Sequence, residues 1–301
     1  MPITEEFLQS FEQGLNPQFP EKSKIPAKIV GYGEISSIFK IDPYNKWVFK
    51  RLPLFTNVVE AANYSKNYNT YTNKLKQAGL ALPEDNIFII SDKKVVLYLA
   101  QEALKKEDLC QNKLHSLSKE KAIEMLDNIF LNIKKVADFN KNNKPEISLS
   151  IDGQVSNWAL VNNQLLYFDT STPLFKINGE EQLDPELLLN STPKALRWII
   201  RKFFLQEVMD RYYDLRLVFI DIIANLHKEK MQDLIDESII NANNLLSENE
   251  EIITRKEVDK YYANDKFIWQ LFLALRRMDR WLTTNIFNKQ YEFILPGKIE
   301  R

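Results

Sequence analysis

Two carboxylates and an amide frame a short hairpin. Asp152 and Asn157 lie in the stretch Ile151-Asp152-Gly153-Gln154-Val155-Ser156-Asn157, and Asp169 closes Gln164-Leu165-Leu166-Tyr167-Phe168-Asp169. Between them run Trp158-Ala159-Leu160-Val161 and the pair Asn162-Asn163. Asn tolerates the positive φ that a two-residue hairpin turn needs, so the spacing predicts two antiparallel strands. Pairing brings the Asn157 and Asp169 ends together. The resulting oxygen cluster suits one or two Mg²⁺ ions, which prefer carboxylates plus substrate phosphates.

Two further groups have chemistry to offer. Gly31-x-Gly33-x-x-Ser36-x-Ile38 joins two expected strands, and glycines there let backbone N–H groups approach a phosphate. Taken alone, the same stretch reads equally as a plain hairpin turn. It is neither a Walker A loop nor a Rossmann fingerprint, since a strand follows it. Lys50 sits in the alternating run Val48-Phe49-Lys50-Arg51-Leu52. Lys50 and Val48 share one face, Phe49 and Arg51 the other. A register slip of one makes Arg51 the competing choice.

The elements that must position these groups follow from the pattern. Residues 1 to about 22 predict a polar helix and a Pro-bearing linker. Strands are expected from Lys28, over Lys46–Leu52, over Asn86–Ile90 and over Lys94–Leu99, with a helix over 57–78 ending at Gly79. Ser118 caps a helix reaching about Asn140. From Pro185 to Tyr291 apolar residues recur at three and four, as at Trp198, Ile199, Phe203, Leu205 and Val208. A strand-rich first third followed by helices gives an α+β chain.

Composition narrows the class. Of 301 residues 45% are hydrophobic and 27% charged, with net charge -1, which suits a globular chain and gives no basic footprint for nucleic acid or membrane. Met1-Pro2-Ile3-Thr4-Glu5-Glu6 has no basic and apolar signal pattern, and Cys110 is a lone cysteine. A cytoplasmic location is therefore expected. Two histidines, His115 and His227, leave little material for a His-based metal site.

Glycine loop, strand lysine, D-x-x-x-x-N, hairpin and closing Asp, in that order, resemble the protein-kinase-like fold. The resemblance implies two lobes, a strand-rich one over residues 1–101 with an N-terminal helical extension, and a helical one over 102–301 carrying the catalytic loop. It implies that Gly31, Gly33, Ser36 and Lys50 face ATP phosphates, and that Glu60, the only acid between Phe55 and Gly79, pairs with Lys50. The base would lie near Gln101, Glu102 and Ala103. Asp152 would serve the acceptor hydroxyl, and Asn157 and Asp169 would hold Mg²⁺. Ser150 stands where the family has His, Thr170 follows Asp169 where it has Gly, and no A-P-E segment occurs. These departures are closer to the small-molecule branch, the aminoglycoside phosphotransferase and choline kinase relatives. The implied function is phosphoryl transfer to a small hydroxylated molecule. The competing reading is a kinase-like pseudoenzyme that binds a nucleotide or a partner. Aromatics such as Trp198, Tyr212, Tyr213, Trp269 and Trp281 read first as core and second as an acceptor pocket.

Overall fold

Alternation in the first hundred residues produces one antiparallel sheet. In this computed structural model, which describes residues 2–32, 36–184, 186–187, 210–286 and 291, the strands are β1 (Ala27–Tyr32), β2 (Ser37–Ile41), β3 (Trp47–Phe55), β4 (Asp85–Ser91) and β5 (Val95–Glu102), in the order β1-β2-β3-β5-β4. Each face of the sheet is covered by one helix. On one side α1 (Glu5–Gly14) inserts Leu8 and Phe11 among Phe39, Phe49, Val96 and Tyr98. On the other, α2 (Val58–Gln77) packs Ala61, Tyr64 and Tyr68 over Leu52, Leu54, Leu97 and Leu99. Buried side chains of this size contribute about 1.5–3 kcal/mol each, so both helices are held by packing more than by propensity.

This layering decides which basic residue of β3 reaches inward toward the hairpin. Phe49 and Arg51 face α1, and Arg51 donates to both Glu12 carboxylate oxygens, at 2.9 and 2.6 Å. Lys50 faces the α2 side with Leu52. Burial alone would raise the Glu12 carboxyl. The Arg51 guanidinium, with the Tyr98 hydroxyl and Lys94, holds it below the usual glutamate range instead.

Beyond β5 helices dominate. The short α3 (Cys110–Leu114) leads to α4 (Lys119–Asn143), which the Ser118 hydroxyl caps. Its apolar face meets α5 (Leu215–Lys228) and α6 (Ile235–Asn243), with the Phe130 and Phe219 rings edge to face at 5.0 Å. The long α7 (Arg255–Trp281) starts at a reciprocal Thr254–Glu257 cap and packs on α5. Two small sheets sit between α4 and α5 in the chain. One joins β6 (Ile147–Leu149), β9 (Phe175–Ile177) and β10 (Glu180–Glu181), and the other is the hairpin of β7 (Trp158–Val161) and β8 (Gln164–Tyr167). The three-residue β6 and β9 carry no alternation long enough to be read from sequence. Residues 198–208, where a helical pattern was expected, and the side chain of Trp269 lie outside the described residues. No described helix is long and apolar enough to cross a membrane.

Candidate functional site

The β7–β8 turn has the conformation its residues call for: Asn162 and Asn163 adopt φ of 49° and 62°. The hairpin sets its two ends side by side. Phe168 N–H donates to the Asn157 carbonyl at 3.0 Å, so Asp169 follows directly beside Asn157. Asn157 Nδ2 donates to the Asp152 carbonyl at 3.3 Å, which closes the Asp152–Asn157 loop on itself. The Asp152 carboxylate accepts from Gln154 N–H at 3.1 Å, and Trp158 Nε1 donates to the Gly153 carbonyl at 3.2 Å. Gly153 lies where a side chain would be crowded. A Cβ there would lie 2.7 Å from Ile133 Cδ1 and 2.9 Å from Val218 Cγ1, because the loop is pressed onto α4 and α5.

The sheet reaches this hairpin through two side chains. Lys50, 3% exposed, places Nζ 3.2 Å from Asp169 Oδ1, 3.4 Å from the Phe168 carbonyl and 3.5 Å from Ser171 Oγ. Ser171 Oγ donates to the same Asp169 oxygen at 3.1 Å. Gln101, on the same face of β5, donates Nε2 to the Phe168 carbonyl at 3.0 Å. Asp152, Asn157, Asp169 and Lys50 are thus one connected set, formed from the ends of β7 and β8 and the middle of β3.

Other expected positions differ. Glu60 is not the partner of Lys50, whose ion pair is with Asp169. The Glu60 carboxylate accepts from Thr56 Oγ1 at 2.6 Å, Thr56 N–H at 2.9 Å and Asn57 Nδ2 at 2.9 Å, while Asn57 Oδ1 accepts from Glu60 N–H. Those hydrogen bonds, Thr56 foremost, hold its carboxyl below the usual range. Glu60 therefore caps α2 at its exposed N-terminus. At Glu102 and Ala103, the stretch expected near a nucleotide base, the backbone N–H groups donate to the Glu84 carbonyl at 2.8 Å and the Lys46 carbonyl at 2.9 Å. The sheet runs on through these residues, and Gln101 turns its side chain to the hairpin instead. Gly31 and Ser36 flank the β1–β2 connection, where Gly31 pairs with Ile38 beside a register shift. Gly33 lies outside the described residues.

Three residues that the sequence reading passed over border the set. Tyr64, Tyr68 and Tyr71 lie along one buried face of α2. Burial, with Asp169 or Asp85 nearby, pushes all three phenols well above the usual tyrosine range, so they remain O–H donors. Their spacing of four and three is the one that puts side chains on a common helix face.

The donor set bears on a cation. Asp169 is 40% exposed at its side chain and offers a carboxylate, and Asn157, bonded through its backbone carbonyl to Phe168 N–H next to Asp169, adds an amide. No group of three or more His, Cys, Asp or Glu that could hold a metal ion occurs among the described residues. One carboxylate and one amide do not make a closed cage. They fit a hard, oxygen-seeking ion that completes its shell with waters and ligand phosphates, as Mg²⁺ does.

Residues 34–280 match the model of a family described as a family of unknown function, DUF6206. The chain belongs to DUF6206. The matched span includes Lys50, Asp152, Asn157 and Asp169. No curated protein matches the chain.

Proposed function

We propose that this DUF6206 protein is a phosphotransferase of the kinase-like kind, moving a phosphoryl group from a Mg²⁺-bound nucleotide to a hydroxyl of a small molecule. The observation that carries this reading is the contact of Lys50 with Asp169 at 3.2 Å. A buried strand lysine and a hairpin carboxylate, far apart in sequence, meet beside an Asn157 that is itself bonded to the Asp152 loop. The division into a sheet formed by residues 27–102 and a mainly helical remainder supports a two-lobe, kinase-like arrangement with the nucleotide between them.

A bound Mg²⁺–nucleotide would supply the transferable phosphoryl group and spread its charge. Asp169 and Asn157 would hold the cation. Lys50 would turn from Asp169 toward phosphate oxygens, exchanging one anionic partner for another. Asp152 would take the proton of the acceptor hydroxyl as its oxygen bonds to phosphorus and the bond to the nucleoside diphosphate breaks. Ser150 has a different part: its hydroxyl donates to the Leu174 carbonyl at 2.9 Å and braces the loop.

A pseudoenzyme reading has one observation in its favour. Glu60 is spent on a helix cap, so no α2 carboxylate holds Lys50 forward. The two readings separate in a phosphoryl-transfer screen against a pool of hydroxylated metabolites, with hydrolysis to water as the fallback. The active enzyme transfers label, and Asp152→Ala lowers turnover by about 10²–10⁴ with nucleotide affinity retained. A wild type that binds Mg²⁺–nucleotide yet transfers to nothing, water included, is the pseudoenzyme.

A further inference from the structure

One face of α2 sends three hydroxyls into the two loops that carry the candidate acids. Tyr71 OH donates to the Ser150 carbonyl at 2.9 Å, two residues before Asp152. Tyr64 OH donates to the Ser171 carbonyl at 2.5 Å, two residues after Asp169. Tyr68 OH bonds the Asp85 carboxylate at the start of β4 and lies 3.0 Å from Thr170 Oγ1, next to Asp169. The rings fill core positions that Phe would fill as well, so packing alone does not require the oxygens. All three hydroxyls nonetheless find a hydrogen-bond partner within two residues of Asp152 or Asp169. A fourth side chain of the helix, Asn67, holds the Gln182 carbonyl at 2.6 Å. The Thr56–Asn57–Glu60 cap fixes the helix start.

We propose that Tyr64, Tyr68 and Tyr71 are positioning residues that set the Asp152 and Asp169 loops against the sheet through their hydroxyls, the task an ion pair between α2 and Lys50 would otherwise perform. The proposal rests on the phosphotransferase reading for its consequence but not for its geometry. Helix, sheet edge and the Asp169 loop are coupled through Asp85, Tyr68 and Thr170, and the Asp152 loop joins them through Tyr71. The bonds to Ser150, Thr170 and Ser171 are neutral and buried, so salt does not loosen them as it loosens an exposed ion pair. The site is accordingly built without a helix that must swing in to complete it.

Tyrosine-to-phenylalanine changes test this, since each removes one oxygen and keeps the ring. Amide hydrogen exchange is followed in 149–153 and 168–172, and Mg²⁺-dependent ATP binding and turnover are measured alongside. We expect Tyr68→Phe to quicken exchange in 168–172 and to raise the Mg²⁺ concentration for half-maximal ATP binding by about tenfold, the consequence of losing its buried hydrogen bond with Thr170. Metal-free ATP affinity stays unchanged. Thr170→Val should reproduce the effect, and the double variant should be no worse than either single one. Tyr71→Phe should lower kcat with KM for ATP unchanged. Adding 0.5 M salt, about the limit at which screening of exposed pairs is nearly complete, should leave exchange in both segments unaltered in the wild type. Phe variants with wild-type exchange in both segments overturn the proposal. Quickened exchange in a protein that binds no Mg²⁺–ATP upholds the positioning role and rejects the phosphotransferase reading.

Discussion

Lys50 and Asp169 form one ion pair, yet removing either partner should have unequal cost. The Lys50 side chain is 4% exposed and that of Asp169 40%. Asp169→Asn keeps shape and a neutral acceptor but leaves the ammonium in a buried slot without its anion, with the Phe168 carbonyl and Ser171 hydroxyl as its further acceptors among the described residues. Breaking a fully buried pair costs about 3–5 kcal/mol, and losing an exposed one about 0–1 kcal/mol. With one partner partly in water, about 2 kcal/mol is the expected loss. Lys50→Met removes the charge and keeps the apolar stem. The Asp169 carboxylate it leaves has water and the Ser171 hydroxyl, and the Phe168 carbonyl still accepts from Gln101. Its cost should stay below about 1 kcal/mol. Taking a urea slope of about 2 kcal/mol/M, the midpoint falls by about 1 M for Asp169→Asn and by less than about 0.5 M for Lys50→Met. The double variant should be more stable than Asp169→Asn alone. If Lys50→Met proves at least as damaging as Asp169→Asn, the energy lies in the lysine's neutral hydrogen bonds and the charge argument fails.

Three further outcomes follow from the structure. Glu12→Gln removes the buried anion paired with Arg51 and should cost about 3–5 kcal/mol at neutral pH by urea unfolding. Because the folded Glu12 carboxyl titrates below the ordinary 4.5, its contribution is complete above 4.5 and lost as pH falls through the lower folded value; a variant whose acid unfolding profile matched the wild type would contradict this. Burial pushes the Asp221 carboxyl on α5 up to about 6, with the Tyr261 hydroxyl opposing and Asp265 adding to the rise. The charged form is therefore penalised above pH 6, and Asp221→Asn should be more stable than the wild type at pH 7.5, with the advantage gone near pH 4; equal stability at both values would refute it. At the hairpin turn, Asn163→Val forces a β-branched residue to φ of 62° and should cost about 1–2 kcal/mol, whereas Asn163→Gly should cost nothing; equal unfolding midpoints would remove the case for the turn.

Some of this was written plainly in the chain. Asn162-Asn163 between two apolar runs fixed the hairpin, and the β3 alternation separated Lys50 from Arg51 before any contact was seen. Both depend on neighbours in sequence. Glu60 shows the opposite case. A family pattern assigned it to Lys50, but Thr56 and Asn57 lie within four residues and satisfy its carboxylate locally, and the Asn57-x-x-Glu60 spacing is itself a capping signal. The α1 helix was legible as a helix, while its place over the sheet depends on Glu12 meeting Arg51 across thirty-nine positions. The tyrosines of α2 were overlooked because their role is set by partners 79, 102 and 107 residues away, which no local pattern encodes.

The central claim is that Asp169 and Asn157 hold a cation that bridges to nucleotide phosphates while Lys50 contacts them. Titration calorimetry of ATP into the full chain, with and without Mg²⁺, tests it most directly. The wild type should bind ATP more tightly with Mg²⁺ than without it. Asp169→Asn should lose that gain, and Lys50→Met should weaken binding under both conditions. Equal ATP affinity for wild type and Asp169→Asn at every Mg²⁺ concentration would contradict the account.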